Sequence, residues 1–157
     1  MKMNIGQSAP EFTALDRDGK STQLSNFIGQ WLVLYFYPKD LTPGCTTQAI
    51  DFTSQLSQFQ ALNTQIVGIS PDSIESHDKF IKKHNLAISL LSDREHQIAE
   101  TYGVWQLKKF MGKEYMGIIR STFLIDPDGK IVQIWSKVKV KNHAEIVLQQ
   151  VRSLLTP

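Results

Sequence analysis

Seven consecutive residues, 31–37 (Trp-Leu-Val-Leu-Tyr-Phe-Tyr), are apolar or β-favouring and lie between Gly29 and Pro38, the pattern of a strand covered on both faces. A polar loop at 39–44 follows, and then Ala49, Phe52, Leu56 and Phe59 recur at spacings of three, four and three, which puts them on one face of a helix. One turn back on that face stands Cys45. Residues 65–69 predict the next strand. Pro71-Asp72-Ser73 then supplies a turn and a cap for a polar helix with apolar positions at Ile74, Phe80 and Ile81. Strands at 121–126 and 130–135 are joined by Pro127-Asp128-Gly129, a tight-turn sequence that predicts an antiparallel pair. Asp16-Arg17-Asp18-Gly19 marks another hairpin near the start. Asn142 and Glu145 read as a capping box for an amphipathic helix carrying Ala144, Val147, Val151 and Leu154. Residues 137–141 alternate Lys and Val, as a charge-protected edge strand does.

Strand, helix, strand, helix followed by an antiparallel pair predicts an α/β domain: a mixed central sheet with helices on both faces and an N-terminal β-hairpin, thioredoxin-like in architecture. No repeat or linker-like segment divides the chain, so residues 1–157 are expected to form a single domain. In such a sheet the loops leaving the carboxyl ends of the strands carry the ligand site, and the first of them here runs over 38–45.

Composition narrows the functions. The chain is 41% hydrophobic and 20% charged with a net charge of +2, which excludes the disordered and fibrous classes and favours neither nucleic acid nor an anionic membrane as partner. No N-terminal apolar stretch resembles a signal peptide, and the run at 31–37 is too short to span a bilayer, so the expected compartment is the cytosol, with a cytoplasmic protein as the reading. A single cysteine excludes an internal disulfide, a cysteine-cluster metal site and a CxxC dithiol centre.

That cysteine is placed for chemistry. The thiolate is the reactive form of cysteine, and helix N-termini favour it through unpaired N–H groups and the macrodipole. Pro38 and Pro43 stiffen the preceding loop, Gly44 leaves room beside the sulfur, and the Thr42 hydroxyl can turn toward the sulfur or toward an oxygen bound next to it.

The spacing Pro38-x-x-x-Thr42-x-x-Cys45 resembles the active-site signature of the peroxiredoxins. The wider run over 35–49 is similar to their bacterioferritin-comigratory-protein, or peroxiredoxin Q, branch. Gly6-Gln-Ser-Ala-Pro-Glu-Phe12, Val67-Gly-Ile-Ser-Pro-Asp72, Leu91-Ser-Asp93, Gly103-Val-Trp105 and the stretch from Arg120 to Lys130 resemble that branch in the same order, over nearly the whole chain. The resemblance implies a thiol peroxidase reducing hydrogen peroxide and organic hydroperoxides through a sulfenic acid on Cys45. In it Thr42 binds the peroxide, Pro38 shields the sulfur, and Arg120 holds the thiolate and polarises the O–O bond. It implies no metal and no cofactor. Many members carry a second cysteine at the position of Ile50; here there is none, so reduction falls to an external thiol such as thioredoxin, glutaredoxin or glutathione. A monomer is the expectation for this branch.

Two other readings compete. A lone cysteine is more often a small buried hydrophobe than a nucleophile, which makes a non-catalytic thioredoxin-fold binding or chaperone-like module the alternative. A dithiol oxidoreductase is opposed by threonine at the place of the first CxxC sulfur. His77, His84, His96 and His143 have no metal-ligand spacing; His77 and His84 read as solvated, and Trp105, Tyr115 and Met116 as loop residues.

Overall fold

The computed structural model describes residues 3–155. Its frame is a seven-stranded sheet in the order β2-β1-β5-β4-β3-β8-β9, built from β1 (Thr13–Leu15), β2 (Ser21–Gln23), β3 (Trp31–Phe36), β4 (Thr64–Ser70), β5 (Ser89–Ser92), β8 (Ser121–Ile125) and β9 (Ile131–Ser136). A separate two-stranded sheet pairs β6 (Trp105–Phe110) with β7 (Lys113–Ile118). The helices are α1 (Pro43–Gln60), α2 (Ile74–His84), α3 (Gln97–Thr101) and α4 (His143–Leu155). β3, β4 and β5 run parallel through the crossovers α1 and α2, while β8 returns antiparallel to β3, so the sheet is mixed as expected.

The apolar run of β3 is explained by its two neighbours and two covered faces. Leu32, Leu34 and Phe36 point into one core with Phe123, Ile125 and Tyr102; Val33, Tyr35 and Tyr37 point into the other with Phe52, Phe59, Phe80 and Val147. All three long helices pack on the second face. The first is closed by α3, a 3-10 turn at Leu24–Phe27 and the N-terminal segment. Ala49, Phe52 and Phe59 are fully buried along the predicted stripe of α1, each large side chain there contributing roughly 1.5–3 kcal/mol.

Gly68 shows how the sheet makes room for an aromatic ring. A β-carbon at that position would lie 2.7 Å from Cζ and 2.9 Å from the hydroxyl of Tyr35, so only glycine lets this ring lie across β4 and stack on Phe52 at 4.9 Å.

Four expectations are corrected. Residues 137–141 form no strand: Lys137 takes a left-handed φ of 51°, which breaks the extended run, and the Val138 N–H donates to the Arg120 carbonyl at 3.0 Å. Trp105, Tyr115 and Met116 lie in the β6–β7 hairpin and not in a loop. Asn142 has the left-handed φ of 61° rather than the extended backbone of a capping-box residue, and Glu145 accepts instead from Gln149. The loop predicted to end at Gly44 gives way to α1 two residues earlier, because Pro43 supplies the fixed φ of a first helical position.

Candidate active site

Cys45 sits in the first turn of α1, with Pro43 opening the helix and Thr42 as its N-cap. No side chain caps this end, and Pro43 has no N–H to satisfy, so the first-turn donors are the backbone N–H groups of Gly44 and Cys45 themselves. Cys45 as a residue is 2% exposed. Arg120, in the short link between β7 and β8 and so beside the carboxyl end of β3, reaches the sulfur from the neighbouring strand: Nη2 donates to Cys45 Sγ at 3.3 Å and Nη1 donates to Gln48 Oε1 at 2.6 Å. Gln48 is one helical turn beyond Cys45, so the guanidinium is held at two points by one face of α1.

Gly44 is explained by this arginine. A β-carbon there would stand 3.3 Å from Nη2, so the room expected for a ligand is taken by the guanidinium. Thr42 also differs from expectation. Its hydroxyl donates to the Lys39 carbonyl at 2.7 Å and not to the sulfur. With its one hydrogen committed, the Thr42 oxygen can meet a ligand only as an acceptor. Pro38 is half-buried at the start of the same loop.

Beneath the site the Tyr35 hydroxyl is buried with no hydrogen-bond partner among the described residues. Burial pushes its ionisation far above the ordinary phenol value, with the neighbouring Cys45 adding to the rise, so the phenol stays neutral. His143 lies on the other side, its Nε2 2.8 Å from Thr122 Oγ1; burial first, and then the charge of Arg120, lower its pKa from 6.5 to about 4, so this ring is neutral at pH 7.

Sequence reasoning missed the second layer. His77, read as solvated, is fully buried, with Nδ1 2.7 Å from Asp40 Oδ2 and Nε2 3.0 Å from the Leu91 carbonyl oxygen. The signal was present, since His77 precedes Phe80 and Ile81 by three and four residues and shares their face. Asp40, Asp72 and His77 offer ligand-type atoms within 4.8 Å of one another, a spacing that could hold a cation, but those of Asp40 and His77 are taken up by hydrogen bonds. His84 is half-buried against Phe80, and His96 stacks on Trp105 at 3.9 Å.

A thiol at a helix N-terminus is thus bonded by a guanidinium from the link that leads into the neighbouring strand. The AhpC/TSA family pattern matches residues 5–134. The chain belongs to the AhpC/TSA family. Within it, the chain is 51% identical to Peroxiredoxin Bcp of Bacillus subtilis over 98% of both chains, and 43% identical to Peroxiredoxin Bcp of Escherichia coli K12 over 93% of this chain and 94% of that one. Among solved structures, a cysteine-to-serine variant of Xylella fastidiosa PrxQ superposes with a TM-score of 0.94 at 38% identity over 99% of each chain. The bacterioferritin comigratory protein of Xanthomonas campestris, for which alkyl peroxide reduction activity is described, gives 0.88 at 41% identity over 92% of each. The chain is thus a peroxiredoxin of the Bcp/PrxQ type with the thioredoxin-like fold, and it carries one cysteine. No helix among the described residues is long and apolar enough to cross a membrane.

Proposed function

We propose that this peroxiredoxin reduces hydrogen peroxide and organic hydroperoxides with Cys45 as nucleophile, and that an external thiol restores it. The observation that carries this reading is the 3.3 Å contact between Arg120 Nη2 and Cys45 Sγ. A guanidinium donating to sulfur stabilises negative charge there, and its remaining N–H groups can stabilise charge developing on the peroxide oxygens. The sulfur anion attacks the terminal, hydrogen-bearing peroxide oxygen. The S–O bond forms as the O–O bond breaks, and the departing oxygen takes a proton from solvent to leave as water or an alcohol. Thr42 accepts the hydrogen bond of the peroxide O–H, since its own hydrogen is spent on Lys39. Pro38, half-buried beside the loop, limits water at the sulfur.

The product on the enzyme is a sulfenic acid. With one cysteine in the sequence it condenses with a thiol from another molecule, releasing water and leaving a mixed disulfide, and a second thiol then frees Cys45. Thioredoxin, glutaredoxin or glutathione has the chemistry required, and a monomeric cytoplasmic enzyme of one domain is the form we expect to act.

Turnover of hydrogen peroxide measured in parallel with thioredoxin, with glutaredoxin plus glutathione, and with glutathione alone tests activity and names the donor. At least one arm should turn over with the parent protein and none with Cys45→Ser. Failure of every arm would support the silent binding module instead.

A further inference from the structure

We infer that Asp72 and the buried pair Asp40–His77 are positioning residues that aim the Thr42 hydroxyl, an inference that rests on the proposed peroxidase reading. The geometry runs through one peptide unit, the link between Lys39 and Asp40. Its N–H donates to Asp72 Oδ2 at 2.8 Å, and its carbonyl accepts from the Thr42 hydroxyl at 2.7 Å. The plane of that peptide therefore fixes where the Thr42 hydrogen goes, and which side of its oxygen is left to accept from a peroxide.

Each part of the holder is itself held. Asp72 Oδ2 also accepts from the Ser70 hydroxyl at 2.6 Å, which ties it to the end of β4. The Asp40 carboxylate accepts from Tyr37 at 2.6 Å on one oxygen and from Ser76 at 2.8 Å on the other, where His77 Nδ1 also lies at 2.7 Å. His77 Nε2 faces the Leu91 carbonyl, which can only accept, so that nitrogen carries a proton and the ring is locked between β5 and the loop. Leu41, between Asp40 and Thr42, stands in the left-handed region at φ 64°, a strained conformation for a γ-branched residue that persists only when its surroundings dictate it. The three tethers on Asp40 and the one on its N–H supply that dictation. Through Ser76 and His77 the first turn of α2 sets the loop from behind while Arg120 meets the sulfur from the front.

The test uses the full chain and follows thiol loss at Cys45 on mixing with hydrogen peroxide. His77→Leu should lower the second-order rate by at least about tenfold, as misplaced catalytic groups do. Asp72→Ala, at a half-buried position outside any helix or strand, should lower it several-fold and keeps the question decidable where His77→Leu does not fold. Asp72→Asn retains an acceptor oxygen for the Asp40 N–H and should recover most of the loss. The decisive arm is the Thr42→Val background: if the network acts by aiming Thr42, Asp72→Ala should cause little further loss there. A folded Asp72→Ala protein that reacts within about twofold of the parent, or one that loses the same factor with and without Thr42, overturns the inference. Hydrogen exchange separates this from the parent reading. A parent protein inert to peroxide defeats the peroxidase proposal, whereas an Asp40 amide that exchanges no faster in Asp72→Ala defeats the positioning network whatever the activity.

Discussion

Gly44 and Arg120 are linked so closely that changing one reports on the other. Gly44 lies in the first turn of α1 without a positive φ, so alanine there is compatible with the backbone and improves helix propensity. Its β-carbon would nonetheless stand 3.3 Å from Nη2 and displace the guanidinium by a few tenths of an ångström. Gly44→Ala should therefore melt no lower than the parent while reacting several-fold more slowly with hydrogen peroxide. Arg120→Met should stay folded and lose about a hundredfold in the same rate, the scale of removing one preorganised donor from a charge-developing centre. Parallel thermal melts and stopped-flow traces check both; equal rates for parent and Arg120→Met would remove the arginine from the mechanism. At this scale the sequence was most legible where several residues share one requirement. Pro38, Thr42, Gly44 and Cys45 stood out together, and Arg120 joined them through resemblance; its contact with the sulfur spans 75 positions and no local spacing encodes it. Gln48 and His77 were visible only as helix-face neighbours of Cys45 and Phe80, a weaker signal that polar flanking residues hid.

Among the elements, α4 carries the clearest dependence on solution conditions. His143 opens it, buried against Phe52 and Trp135 and bonded to Thr122 on β8, with a folded pKa lowered from 6.5 to about 4. Between those values the unfolded chain binds a proton that the folded one refuses, so this group's contribution is complete above pH 6.5 and is lost as the pH falls toward 4. The shift corresponds to about 3 kcal/mol. Urea midpoints at pH 7 and pH 4.5 should differ by more in the parent than in His143→Gln; an equal fall in both would place the acid sensitivity elsewhere. Elements themselves were legible in proportion to their length and regularity. The stripe of α1, the apolar run of β3 and the Asp-Gly turn between β8 and β9 appear as read, whereas the α4 stripe holds at Ala144, Val147 and Val151 but ends before Leu154, which is exposed in the last turn. The β6–β7 hairpin escaped because Met111-Gly112 makes its turn, with φ of 52° and 79°, at positions where asparagine and glycine are the usual signal. β5 is a four-residue strand, Ser-Leu-Leu-Ser, too short to show a period.

Taken as a whole, the molecule brings the proposed site residues together at the carboxyl end of β3. β3 and α1 deliver the loop and Cys45, the link before β8 delivers Arg120, and β4, α2 and β5 hold the loop from behind. The mixed parallel and antiparallel order was predictable because a βαβ crossover and a Pro-Asp-Gly turn each permit one pairing mode. The convergence of Asp40, Asp72 and His77 was not, since it depends on how far α2 sits from the loop, a packing distance with no sequence period. The central claim is that the sulfur of this lone, 2%-exposed cysteine is a fast peroxide nucleophile and not a buried hydrophobe. Mixing the reduced protein with one equivalent of hydrogen peroxide, quenching over a time course and weighing the Cys45 peptide measures it directly. The account predicts that thiol is consumed orders of magnitude faster than free cysteine under the same conditions and that one oxygen is gained at Cys45; a peptide that stays reduced, or oxidises no faster than free cysteine, would contradict it.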